Sequence, residues 1–249
     1  MPDCSIGIAH YPDEGRDLSA LLKAADVSLY AAQEEERRKT RYALYDSVFT
    51  HRAEYRFQVE QHLREAIEKQ QLSLFYQPQV GIETAKIVDV EALLRWSHPV
   101  LGQVSPEYFI ATAERTDMIK PLIHWALSTA CSLAVNWKKS GPPDLRMAVN
   151  LAPGHFMHID IVEVVQRVLD QSGMKSNGLV LEVTESLVQT GQKNLSVFQD
   201  LKELGVLLAI DDFGMGYSSF ASLKHLKADY LKIDKHFIAD VTNDKRPGF

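Results

Sequence analysis

The stretch "AIDDFGMGYSS", residues 209–219, ends an apolar run with Asp211 and Asp212 side by side and continues into two glycines and two serines. Adjacent like charges cost free energy unless water or a cation offsets them, so the pair is either a solvated loop start or part of a ligand set. Other apolar runs of strand length also carry their polar residue late: Glu91 in "KIVDVEALLRW", Asn150 in "LRMAVNLAP", Glu182 in "GLVLEVTES", and Lys232 and Asp234 in "DYLKIDK". Taken singly, each of these also fits strand capping or a salt bridge. Delivered together to one place, carboxylates and a carboxamide make an oxygen-rich cage of the kind that Mg2+ or Mn2+ prefers. An Asp shared between two ions roughly 3.5–4 Å apart suits phosphoryl chemistry. Gly214 and Gly216 allow the tight backbone that a loop over such ions needs.

Convergence of this kind needs a scaffold. From Leu72 onward, strand-length apolar runs alternate with helical patterns, beginning with "LSLFYQPQV" and continuing through the runs above to "GVLLAIDDFG" and "DYLKIDK". The pattern "KPLIHWALSTACSLAVNWKKSG" predicts a helix stopped at Gly141, and "LSVFQDLKELG" one stopped at Gly205. Runs such as "VLLAI" lack polar alternation, which implies burial on both faces in a parallel sheet covered by helices. Too few residues separate the first two runs for a parallel crossover, so the first strand is expected to be antiparallel. In a (β/α) barrel the C-terminal strand ends share one mouth, where the late polar residues would meet.

Residues 1–45 read differently: "CSIGIAHYP" as a short strand and "DLSALLKAADVSLYAAQEEERRKTR" as a helix, too little for a core of their own. They are expected to lie exposed or loosely packed on the helical linker of residues 46–71, ahead of a domain over 72–249. The chain has 249 residues, 45% hydrophobic and 24% charged, the profile of a globular protein. A net charge of −6 speaks against DNA or RNA as a partner. Cys4 and Cys131 form no disulfide-like or metal-binding pattern, and no apolar run approaches the ~18 residues of a membrane span, so a cytoplasmic location is expected.

The motifs "YQP" (76–78), "EALLRW" (91–96), "HPVLGQVSPEYFI" (98–110), "NLA" (150–152), "EVTES" (182–186), "DDFGMGYSS" (211–219) and "LKID" (231–234) resemble, in order, those of the EAL-domain cyclic di-GMP phosphodiesterases. "SIGIA" and "LLKAADVSLYAAQ" resemble the closing strand and helix of a GGDEF domain, whose namesake motif is absent, so no cyclase activity is expected. The resemblance implies an α/β fold, a (β/α)8 TIM-like barrel with an antiparallel first strand and about six of its eight strands in this chain. It implies hydrolysis of cyclic di-GMP to pGpG with two Mg2+ or Mn2+ ions, and upstream sensory or GGDEF domains; an open barrel would also leave sheet edges free to pair with another chain, so a homodimer is one expectation.

Carried across by residue, the resemblance makes Glu91, Asn150, Glu182 and Asp211 ligands of the first ion and Asp211 and Asp212 ligands near the second. Lys232 would hold the attacking water and Glu185 would steady the loop 213–219. Gln77, Leu94 and Arg95 would contact substrate, with Asp234 beside them. Met215 stands where the family has Thr, and Ala152 where it has Ser. Two further βα units of the family, one bearing its general-base glutamate, are not among the 249 residues. Slow hydrolysis is therefore expected of the chain as given, the alternatives being a non-catalytic cyclic di-GMP-binding module or an inactive gene fragment.

Overall fold

The computed structural model describes residues 4–34, 42–142, 144–158, 160–185, 187, 192–214 and 227–236. Residues 1–62 and 63–249 are two compact units. In the first, β1 (Ile6–Ile8) and β2 (Tyr42–Leu44) pair in parallel, with α1 (Leu18–Glu34) between them in the chain. Ala24, Ser28 and Ala32 are buried at a spacing of four, which puts them on one face of α1. That small-residue face lets the strand close in: a Cβ on Gly7 would sit 2.0 Å from the Ala25 carbonyl oxygen, so glycine is required there. Helix α2 (Ser47–Glu68) starts after Asp46, whose Oδ1 accepts from the Val48 N–H at 2.9 Å. The sequence pattern predicts a strand and a helix here. The added β2 is only three residues long, too short for a periodic signal, and Ile6, Tyr42 and Leu44 keep about half their surface exposed.

The second unit is built on a sheet that runs β3 (Leu72–Val80), β4 (Ile87–His98), β6 (Arg146–Leu151), β7 (Leu179–Thr184), β8 (Leu207–Phe213), β9 (Tyr230–Ile233), with β5 (Gly102–Val104) folded back on β4. As expected from the short connection, β3 is antiparallel to β4, and β4, β6, β7, β8 and β9 are parallel. Helices α3 (Pro106–Arg115) and α4 (Ile119–Ser140) precede β6, α5 (Gly154–His158) and α6 (Ile161–Ser172) precede β7, and α7 (Gln192–Glu203) precedes β8.

Helix α6 shows how local sequence sets the layers. Asp160 caps it by accepting from the Glu163 N–H at 3.1 Å, and Ile161, Val164, Val165, Val168 and Leu169 form one buried stripe. That stripe joins Leu127, Ala130 and Cys131 of α4 against Met147, Val149, Leu179, Leu181, Leu208 and Ile210 of the sheet. The core thus lies on the helix side of the strands. Alternation sends the other residues of each strand, Asn150 and Glu182 among them, to the opposite side.

That opposite side is the inside of a curved wall. Strands about 4.8 Å apart would put β9 about 19 Å from β4 in a flat sheet. Lys232 on β9 nevertheless lies 2.9 Å from Glu91 on β4, and Arg146 on β6 bonds the hydroxyl of Tyr230 on β9. The sheet is rolled, as a TIM-like barrel requires. Among the described residues, no helix is long and apolar enough to cross a membrane.

Candidate active site

Four neighbouring strands, β4, β6, β7 and β8, supply the polar set, and β9 adds a lysine. Asn150 on β6 is the ladder partner of Glu182 on β7, and Thr184 is the partner of Asp211 on β8, so Asp211 sits one pleat beyond Glu182. Glu91 on β4 pairs with Ala148, one pleat below Asn150. This stagger is what barrel closure demands, and it brings one oxygen from each of Glu91, Glu182 and Asp211 within 4.8 Å of the others. Asn150 Nδ2 donates to Glu91 Oε1 at 2.7 Å. The Lys232 ammonium reaches into the same cluster, 2.6 Å from Glu182 Oε2, 2.9 Å from Glu91 Oε2 and 3.4 Å from Asp211 Oδ2.

Among the described residues, one ammonium faces three carboxylates, which leaves the cluster short of positive charge. Glu182, 1% exposed, registers the deficit: burial first, and then Glu91 and Asp211, push its pKa up to about 7 against the opposing pull of Lys232. Burial also works against the Lys232 cation, but the hydrogen bonds and charges of Glu182 and Glu91 outweigh it and raise its pKa. A cationic group held by three carboxylates shows that these oxygens fit a cation, and Asn150 offers an amide oxygen after rotation of its side chain. Glu91, Glu182, Asp211 and Asn150 therefore form a donor set of the right chemistry for a hard divalent ion.

Two adjacent aspartates cannot share a face of a regular strand. The strand bulges here: Asp212 is left-handed, φ 53°, and the pairing with β9 slips between Ile210 and Phe213, while only Asp211 of the pair joins the cluster with Glu91 and Glu182. A short polar side chain tolerates that conformation better than a branched one. The Asp212 pKa is raised, by burial first and then by Asp211 and Asp234. Asp234 accepts from the His236 backbone N–H at 2.8 Å and from its imidazole, and these bonds lower its pKa. His236 was not singled out from the sequence, where a lone His after "LKIDK" carries no signal.

Glu185 is buried and accepts from the Gly214 N–H at 2.8 Å. Gly214 has φ 103°, a conformation open only to glycine, so the chain leaves β8 through a turn that this carboxylate holds. Met215 and the rest of the loop to residue 219 lie outside the described residues. Gln77 stands opposite Glu91 in the β3–β4 ladder and shares its face. Arg95 is engaged elsewhere, its Nη1 donating to the Leu94 carbonyl at 2.7 Å and its guanidinium 5.5 Å from the Phe75 ring centre.

A cavity of about 350 Å3 shares Asn150 with the cluster and is otherwise lined by Leu74, Leu94, Ile110, Leu122 and His155 among others, with none of the three carboxylates on its wall. His155 Nδ1 accepts from the Ala152 N–H at 2.8 Å, and burial pushes its pKa down to about 4, so the ring is neutral at physiological pH. Neither the cavity nor His155 was legible in the sequence, because the apolar walls come from β3, β4, α3 and α4, which no single motif unites.

The EAL domain family model matches residues 60–249. The bifunctional diguanylate cyclase/cyclic di-GMP phosphodiesterase MucR of Pseudomonas aeruginosa is 38% identical over 241 residues, covering 96% of this chain and 35% of MucR. The cyclic di-GMP phosphodiesterase NbdA of the same organism is 36% identical over 243 residues, covering 97% of this chain and 31% of NbdA. This chain thus spans about a third of the length of these relatives. Among solved structures, the c-di-GMP complex of the PaMucR phosphodiesterase superposes with a TM-score of 0.70 at 40% identity, covering 75% of this chain and 76% of that one. With the motif order, the rolled sheet and the match over residues 60–249 in agreement, this chain belongs to the EAL domain family.

Proposed function

We propose that residues 63–249 hydrolyse one phosphodiester of cyclic di-GMP to linear pGpG in the presence of Mg2+ or Mn2+. The observation that carries this reading is the cluster of three carboxylate oxygens within 4.8 Å, filled by an ammonium and bonded to Asn150, which also lines an apolar cavity. Glu91, Asn150, Glu182 and Asp211 would hold one ion, and Asp211 with Asp212 would hold part of a second. Bound divalent ions supply the positive charge that draws an anionic substrate to a carboxylate cluster, and they lower the pKa of water toward neutrality.

The rest is the work of the chain's own side chains. Lys232, reaching the cluster from across the interior, would orient the attacking water by donating an N–H to it. Arg95 can leave the Leu94 carbonyl and fork onto a phosphate, with Gln77 on the face next to Glu91. Leu94 and the apolar cavity offer a nonpolar wall to a flat base. Glu185 fixes the start of the loop that follows β8. Residues 1–45 are read as the closing strand and helix of a GGDEF domain; the β1–α1–β2 unit supports that reading.

The test is direct. The purified chain with saturating Mn2+ is expected to convert cyclic di-GMP to pGpG, followed by chromatography, with no conversion in excess EDTA. Metal-independent conversion, or tight nucleotide binding with no product, would replace hydrolysis by another reading, the latter that of a receptor.

A further inference from the structure

A second polar layer lies in the barrel interior below the carboxylates. Asp89 precedes Glu91 by two residues on β4, and Tyr230 precedes Lys232 by two on β9, so each shares its neighbour's face one step toward the N-terminal strand ends. Asp89 and Arg146 are ladder partners on β4 and β6. The Arg146 guanidinium forks onto Asp89, through Nε and Oδ1 and through Nη2 and Oδ2 at 2.9 Å. Its remaining Nη1 donates across the interior to the Tyr230 hydroxyl, and the guanidinium carbon lies 5.1 Å from the Tyr230 ring centre. The ring itself packs on Ala148, Val180 and Ala209, small residues that leave room for it.

Strand β9 needs such a tether. Asp229 fixes its start by accepting from the Leu208 N–H at 2.8 Å and pairing with Lys202, but after the Ile210–Leu231 pair the β8–β9 ladder slips at the Asp211–Asp212 bulge, leaving Lys232 without a ladder partner before pairing resumes at Phe213 and Ile233. In the structure, Lys232 is held in place by Glu91, Glu182 and Asp211. A divalent cation on those carboxylates would compete for the same oxygens and release that hold. With that hold released, the place of Lys232 depends on the slipped β8–β9 ladder and on the contacts that tie β9 across the interior to β6.

We infer that Asp89, Arg146 and Tyr230 form a positioning layer that holds β9, and with it Lys232, in register when a metal ion takes the carboxylates. The inference rests on the proposed reading of the cluster as a metal site. Arg146 and Tyr230 act through Lys232 and touch no substrate. The fork on Asp89 fixes the guanidinium, and the planar guanidinium fixes the tyrosine from both its edge and its face.

Two mild variants test this, Tyr230→Phe and Arg146→Lys; the first keeps the ring and the second keeps a positive charge beside Asp89. Hydrogen exchange at residues 230–233 is compared with and without saturating Mn2+, alongside a Mn2+ titration and steady-state kinetics. In the unaltered chain Mn2+ is expected to leave exchange in β9 unchanged. In both variants Mn2+ is expected to speed it about tenfold, and kcat to fall about tenfold with KM and Mn2+ affinity within twofold. Exchange in the variants that matches the unaltered chain in Mn2+ would overturn the inference, as would a rise of equal size with and without Mn2+, which marks plain structural loosening. If the unaltered chain binds no Mn2+, the proposed metal site falls and this inference with it; if it binds Mn2+ but forms no pGpG, the exchange comparison still decides.

Discussion

Glu182→Gln is expected to weaken Mn2+ binding at least about 100-fold and to bring pGpG formation down with it. Changing residues that only orient metal ligands already costs 10–100-fold, and Glu182 would be a ligand at the centre of the set. The substitution keeps the size of a side chain that is 1% exposed, so loss of packing contributes little. A pH signature separates charge from shape. In the metal-free protein the Glu182 pKa is raised to about 7 from an ordinary 4.5, chiefly by burial. Between those values the native state holds a proton that the unfolded state has lost, so metal-free stability falls as pH rises through that window. Mn2+ must displace that proton, so its affinity should climb up to about pH 7 and then level. Both slopes are expected to disappear in Glu182→Gln, measured by urea unfolding and by Mn2+ titration at pH 5 to 8. Persistence of both would assign them to another group.

Lys232→Met is expected to divide binding from turnover. The ammonium occupies the carboxylates that a cation would use, so its removal should tighten Mn2+ binding. Turnover should nevertheless fall by about 10²–10⁴, the usual cost of losing a group that positions or moves a proton in the reaction. Without metal, three carboxylates lose the counter-ion that the described residues give them, and removing one partner of a buried pair costs about 3–5 kcal/mol. Lys232 is 26% exposed, which places the effect toward the lower figure. Saturating Mn2+ should restore that stability but not the turnover. Weaker Mn2+ binding in Lys232→Met would contradict competition between the ammonium and the metal.

Much of this site was legible because its residues fall late in successive apolar runs, at positions that a parallel sheet must align. Glu91, Asn150, Glu182 and Asp211 needed only the assumption of a common direction, and the short 80–87 connection fixed the one exception, β3. Asp212 was readable as a type but not as a geometry, since a left-handed residue at a bulge leaves no mark in the periodicity. Strands β2 and β5, three residues each, are made by pairing rather than by their own pattern. Asp89, Arg146 and Tyr230 share the parity of the residues above them on each strand, a signal that was present in "VDVE", "RMAVN" and "YLK". It went unread because a charge at the start of a strand ordinarily faces solvent, and only the rolled sheet shows that these three meet.

The most direct measurement is anomalous diffraction from crystals of this chain grown with Mn2+ and cyclic di-GMP. A manganese peak at coordination distance from Glu91, Glu182 and Asp211, with the Lys232 ammonium moved off those oxygens and the phosphodiester beside the ion, is the expected result. Manganese absent from that cluster while Lys232 still bridges Glu91 and Glu182 would contradict a metal-dependent phosphodiesterase site here.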